Sequence, residues 1–355
     1  MTPTERERDG ESFENPSPSM WDFDAWLPLD RETAVSMGEG GTPLLSAPDP
    51  AANFGVDRLV LKDEGQNPTG SVTDRELSMA VTAAMELGVE AGSLAAPGAA
   101  GQSFAAYAAR AGLEGSVYLP SRAPFINKAM CNVHGIELTV VPGRLDAATA
   151  ALESERTQES LGYPFGAFET PFRYVGASTM AFEIVAAMDD GLPDAVVVPT
   201  GDTVPLVGLY EGFHLLETHE IISKTPPLVA VQPAGCAPIV DAVNAGNPPQ
   251  PVSVPDTICG ELEVADPAGG TWAIQAIANT GGTAVAVTDE EILDAGGTIA
   301  RTTGIEVRPD AAAGPAGVQA LRENGFLSRS ATVLTISTGT GGADVLKSHL
   351  DASGR

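Results

Sequence analysis

Lysine is scarce in this chain: of 19 Lys plus Arg in 355 residues only four are lysines, Lys62, Lys128, Lys224 and Lys347. Cations of any kind are few against 47 Asp plus Glu, and the formal net charge of −28 argues against nucleic acid and anionic membranes, whose negative charge this surface would repel. Cysteine is limited to Cys131, Cys236 and Cys259 at wide spacing, which excludes a disulfide framework and a paired-thiolate zinc signature and implies a reducing compartment. His134, His214, His219 and His349 have no metal-ligand spacing, so no metal is expected. No apolar run approaches the roughly 20 residues that span a bilayer, and the charged, Pro- and Ser-rich start does not resemble a signal peptide, so a cytoplasmic protein is expected.

An acidic, lysine-poor surface suits a salty cytoplasm. At molar salt the screening length falls to about 3 Å and carboxylate repulsion is largely removed, which points to a halophilic host. With 43% hydrophobic residues, the chain has the material for one large core or two medium ones.

What is present is a repeated strand, turn, helix pattern. Strand-like runs are expected at Asp57–Lys62, Ser93–Ala96, Ser116–Leu119, Ile136–Val141, Ala195–Val198, Leu228–Gln232 and Thr332–Ile336. Helices are expected at Asp74–Leu87, Gln102–Ala111, Thr179–Met188, Leu206–His214 and Glu290–Thr302. Such alternation specifies an α/β protein with mostly parallel sheets. Residues 1–20 lack hydrophobic periodicity and read as a flexible lead.

In folds of this class ligands sit beyond the carboxyl ends of strands, facing helix N-termini. Four glycine-bearing turns fit that position: Gly65–Thr73, Pro97–Ser103, Pro199–Pro205 and Ser337–Gly342. None carries the dinucleotide fingerprint, because the nearest candidate has Asp344 in place of its third glycine. Each turn taken singly reads as a connection.

Together they resemble the threonine synthases. MGEGGTPLL at Met37–Leu45 is similar to the family's LGEGGTPLL, and KDEGQNPTGSVTDRE at Lys62–Glu76 to KDEGxNPTGSFKDRG. The resemblance continues through Phe104–Leu119, Phe172–Glu183, Ala230–Val240 and Val287–Leu293, and closes at Thr338–Asp344. It implies the fold type II architecture of pyridoxal-phosphate (PLP) enzymes, with two three-layer α/β/α domains. Residues 21–75 and 156–345 would form the larger domain and 76–155 the smaller, with 346–355 as a tail. The activity implied is conversion of O-phosphohomoserine and water to threonine and phosphate through a PLP aldimine.

The motifs depart from the family where the cofactor is held. Thr73 stands at the aldimine lysine, and a hydroxyl forms no imine and carries protons poorly at neutral pH. Ala99 stands at the asparagine that bonds the ring hydroxyl. The phosphate-cradling GNGG turn reads Gly201, Asp202, Thr203, Val204, where branched side chains disfavour the conformations a cradle needs. Val307–Pro309 replaces VEP, placing Arg308 at its acid, and Val175–Thr179 replaces EGQKT. Thr338 survives at the residue facing the pyridine nitrogen, and Ser71, Ser103 and Arg173 line the substrate region. None of the four lysines is an evident substitute for the missing one.

Three functions follow as expectations. One is a catalytically silent homologue without covalent PLP, acting as a homo-oligomer, with an active relative, or on a small ligand. Another is a working threonine synthase, or a lyase using the same cleft without PLP. The third is a small-ligand sensor holding an anion or amino acid at the Pro97–Ser103 turn.

Overall fold

The computed structural model describes residues 19–156, 161–188 and 190–340. The last positions of the Ser337–Gly342 turn, Lys347, His349 and the 346–355 tail lie outside the described residues. The strands are β1 (Leu44–Ser46), β2 (Arg58–Asp63), β3 (Ala91–Ala95), β4 (Glu114–Pro120), β5 (Glu137–Val141), β6 (Tyr163–Pro164), β7 (Ala195–Pro199), β8 (Leu228–Pro233), β9 (Thr283–Val287) and β10 (Thr332–Ser337). The helices are α1 (Pro48–Phe54), α2 (Thr73–Glu86), α3 (Ala99–Ala111), α4 (Phe125–Val133), α5 (Leu145–Arg156) and α6 (Phe172–Ala187). They continue as α7 (Val204–Thr218), α8 (Pro238–Ala245), α9 (Gly270–Thr280), α10 (Asp289–Thr303) and α11 (Pro309–Glu323).

Two sheets organise these elements. The larger runs β1-β2-β10-β7-β8-β9 and is parallel except for β1, which pairs antiparallel to β2 at the edge. The smaller runs β5-β4-β3-β6 and is parallel throughout. Successive side chains of a strand point to opposite faces, and that alternation splits the core of the larger sheet in two. Val60, Val196, Val198, Leu228, Ala230, Leu334 and Ile336 join the cluster with α6 and α7. Leu59, Leu61, Val197, Val229, Val231 and Val333 join the one with α10 and α11. Layers on both faces explain why β7 and β8 are apolar and buried along their full length. A third cluster, including Leu94, Phe104, Val117 and Phe165, fills the smaller unit.

Each expected strand and helix is present, several extended by a turn at one end. Unanticipated were the short strands β1 and β6, strand β9, and helices α1, α4, α5, α8, α9 and α11. The periodicity of α11 is obscured by a run of Ala and Gly and by Pro315 inside the helix. Three boundaries also shift. Of the expected lead over 1–20, residues 1–18 lie outside the described residues, while Ser19 caps a 3-10 turn over Met20–Trp26 that buries Met20 and Trp21. The cut at 75/76 falls inside α2, which is continuous. The smaller sheet extends past 155, since Tyr163 and Pro164 pair with Gly92 and Ser93.

No helix among the described residues is long and apolar enough to cross a membrane. The carboxyl ends of β2, β3, β7 and β10 converge, and the turns following them line a single cleft.

Candidate functional site

Helix α2 begins at the cleft. Its sequence, TDRELSMAVTAAME, lacks Gly and Pro and carries Asp74 and Glu76 in the first turn, where carboxylates favour the helix dipole. Thr73 is its first residue. The Thr73 hydroxyl lies 3.0 Å from Ser71 Oγ and 2.7 Å from Ser103 Oγ. Ser103 also meets Thr69 Oγ1 at 2.9 Å, and Thr69 donates from both its N–H and its hydroxyl to Asp74, at 2.7 and 2.6 Å. A continuous run of hydroxyls therefore leads from Thr73 to a buried carboxyl. Burial raises Asp74 to about 6, although the Thr69 bonds pull it down.

Two helix N-termini face the same space, and each offers unpaired N–H groups that favour an anion. Both are met by carboxylates of the chain itself. At α3, whose N-cap Gly98 has no side chain, the Ala99 N–H donates to Glu261 Oε1 at 2.7 Å. A Cβ at Gly98 would come within 2.4 Å of that oxygen, so glycine is needed for the approach. At α7 the Val204 N–H donates to Asp202 Oδ1 at 3.1 Å. Thr203 adopts the left-handed conformation, φ 70°, that its branched side chain was expected to resist. Its neighbours impose the geometry, and the turn closes around a carboxylate.

The other Asp202 oxygen accepts from Arg173 Nη2 at 3.1 Å. Arg173, 2% exposed, also donates through Nε to Glu76 Oε2 at 2.9 Å, and through Nη2 to the same oxygen. Glu76 is fully buried, and its second oxygen, Oε1, has no hydrogen-bond partner. Burial is the main reason its carboxyl rises to about 8; Arg173 opposes the shift, while Asp202 and Asp74 add to it. Glu261, partly open to the cleft, rises to about 7, also mainly through burial, with Arg308 pulling it down and Asp310 pushing it up. Arg308 pairs with Asp310 at 3.4 Å and lies over Gly339, where a Cβ would come within 2.4 Å of its guanidinium.

The cavity measures about 50 Å³, and Ser71, Thr73, Ala99, Gly201, Asp202 and Thr338 all line it. Thr203, Val204, Ser103 and Arg173 stand directly behind that lining. All ten candidate residues therefore come together. Reading the sequence missed Glu76 and Glu261, which line the same cavity. Glu76 was legible, since it ends the motif at the family's final glycine. Glu261 was not: its loop carries no pattern, and its bond to Ala99 N–H joins segments far apart in the chain.

A profile of the family described as "Pyridoxal-phosphate dependent enzyme" matches residues 35–339. The chain belongs to this family. It is 36% identical to a threonine synthase of Methanosarcina acetivorans over 93% of this chain and 82% of that one. It is also 36% identical to a threonine synthase of Methanocaldococcus jannaschii, over 91% and 80%. Among solved structures it is similar to an L-serine ammonia-lyase from Rhizomucor miehei, with TM-score 0.74 and 21% identity over 88% of this chain and 96% of that one. A threonine deaminase isoform from Solanum lycopersicum matches with TM-score 0.72 and 20% identity, covering 88% of each chain. These structural likenesses support the fold type II architecture.

Membership in the PLP family carries the expectation of PLP, and the residues of this cleft do not fit it. The cavity is several-fold smaller than the roughly 300–1,000 Å³ usual for cofactor pockets. Both anion-favouring helix ends are taken by internal carboxylates. None of the three described lysines lines the cavity. Lys62 is buried with its ammonium bound by Thr42 and Glu183, Lys128 donates to the Ser121 carbonyl, and Lys224 lies in the loop after α7. No group of three or more metal-ligating side chains occurs among the described residues.

Proposed function

We propose that this chain is a threonine-synthase-like protein that works without a PLP aldimine, its cleft serving a small ligand or a partner rather than the family's chemistry. One observation carries the reading: the Thr73 hydroxyl opens α2, where the motif resemblance implies a lysine, in a cleft whose two helix N-termini are capped by Glu261 and Asp202 of the same chain. Arg173 is committed to Glu76 and Asp202 and offers no free fork to an incoming phosphate.

A second reading is an active threonine synthase, or a lyase using the same cleft. It is favoured by relatives of that name at 36% identity over most of the chain. Absorbance of the full chain, purified from its own host and mixed with PLP, separates the two. The first reading expects no aldimine band at about 410–430 nm and no borohydride-fixed adduct on a lysine. Phosphate release from O-phosphohomoserine at ordinary enzymatic rates would establish the second. Thr73→Lys alone is expected to restore neither band nor turnover, because the internal carboxylates and the small cavity remain.

A further inference from the structure

Carboxyl groups outnumber guanidinium groups around the cleft. Glu76, Asp202 and Glu261 line it, with Arg308 beside them and Arg173 behind, paired to Glu76 and Asp202. Acidity alone would be unremarkable in so acidic a protein, but Glu76 adds a specific defect. It is fully buried, lines the cavity, and leaves Oε1 without a partner. A buried carboxyl oxygen left without a partner is costly, so the site is incomplete as it stands. Around the same space stand the hydroxyls of Ser71, Thr73 and Thr338. A volume of about 50 Å³ exceeds the roughly 10–15 Å³ that admits one water-sized group, so a ligand of a few heavy atoms fits.

We propose that this cavity is a binding site for a small primary ammonium ion, with Glu76 Oε1 as its principal acceptor and the Ser71, Thr73 and Thr338 hydroxyl oxygens completing its coordination. A primary ammonium has three N–H donors and no acceptor, which suits a site of one orphan carboxylate oxygen and several hydroxyl oxygens. The proposal rests on the PLP-free reading above and names the ligand class for that cleft. An anion is disfavoured, since both helix N-termini already hold carboxylates.

The groups facing Glu76 are Arg173 from α6, Asp202 from the turn before α7, and Asp74 on its own helix. Its raised value of about 8 means that cation binding should strengthen as pH rises through that value. An alkylammonium stays protonated there, its ordinary value being about 10.4 for lysine.

The test is a thermal-shift and calorimetric titration of the full chain with methylammonium chloride, against tetramethylammonium and potassium chloride at matched ionic strength, at pH 6.5 and pH 8.5. Methylammonium is expected to raise the melting temperature, more at pH 8.5, and the bulkier or donor-free cations to leave it unchanged. Glu76→Gln should weaken methylammonium binding about tenfold or more. Thr73→Leu, which fills the cavity without altering charge, should abolish it and serves if Glu76→Gln does not fold. Equal responses to all three cations, or an unchanged affinity in either folded variant, would overturn the proposal. Borohydride reduction of the same sample keeps the two readings apart. A fixed PLP adduct defeats the PLP-free reading, whereas no adduct and no methylammonium response defeats only this inference.

Discussion

Two buried ionic assemblies meet on helix α2, one through Arg75 and the other through its neighbour Glu76. Arg75 reaches Glu64, Glu183, Thr179 and Thr42 with Nε and both terminal nitrogens, at 2.6 to 3.1 Å. Lys62 joins the same carboxylates. Two cations thus balance two anions, with every charged group hydrogen-bonded. Despite the burial that pushes both carboxyls up, Arg75 and Lys62 hold Glu64 below its usual range and Glu183 at about 2. Glu76 is as deeply buried but meets one guanidinium shared with Asp202, and its carboxyl rises to about 8. Burial is common to both, so the number of compensating partners sets the sign. The first assembly bolts β2, α2 and α6 together, whereas the second lines the cleft and stays unsatisfied.

Removing a member of the closed assembly should have the largest effect. Arg75→Ala leaves Glu64 and Glu183 short of a partner and should cost about 3–5 kcal/mol, read as a lower denaturant midpoint at unchanged slope. The pH dependence of that assembly has a defined sign. Because Glu183 is depressed from 4.5 to about 2, its contribution is complete above about 4.5 and is lost as pH falls through about 2. The variant should show a shallower acid-side decline, with Lys62 still paired to Glu183.

The cleft should behave in the opposite way. With Glu76 raised to about 8 and Glu261 to about 7, stability from these groups is complete below their unfolded value of about 4.5 and is lost as pH rises through 7 to 8. Glu76→Gln should flatten that decline by on the order of 1 kcal/mol per pH unit across the window, measured as melting temperature from pH 5 to 9. If wild type and variant run parallel, the contrast between the assemblies fails. Glu261→Gln should flatten the lower part of the window by less, because its side chain retains some exposure and the amide still accepts from Ala99 N–H. The smallest effect is expected for Ser103→Ala. It breaks the hydroxyl run between Thr73 and Thr69 and should cost about 1 kcal/mol, with the Glu76-dependent pH profile unchanged.

Local sequence was enough for the α/β class, for a helix expected from Asp74, and for the four glycine-bearing turns, and it set Thr73, Ala99 and the Gly201–Val204 turn apart from the family motifs they resemble. These are properties of residue type and short-range periodicity. Pairings across the chain were another matter. That Asp202 turns inward to cap α7, that Glu261 reaches 162 positions back to Ala99, and that consecutive residues Arg75 and Glu76 serve opposite assemblies depend on how the two sheets close over the cleft. Hydrogen-bond satisfaction and desolvation are set by which groups from distant segments share one buried volume, so the tertiary structure alone decided whether the altered cleft would be open, empty or filled by its own side chains.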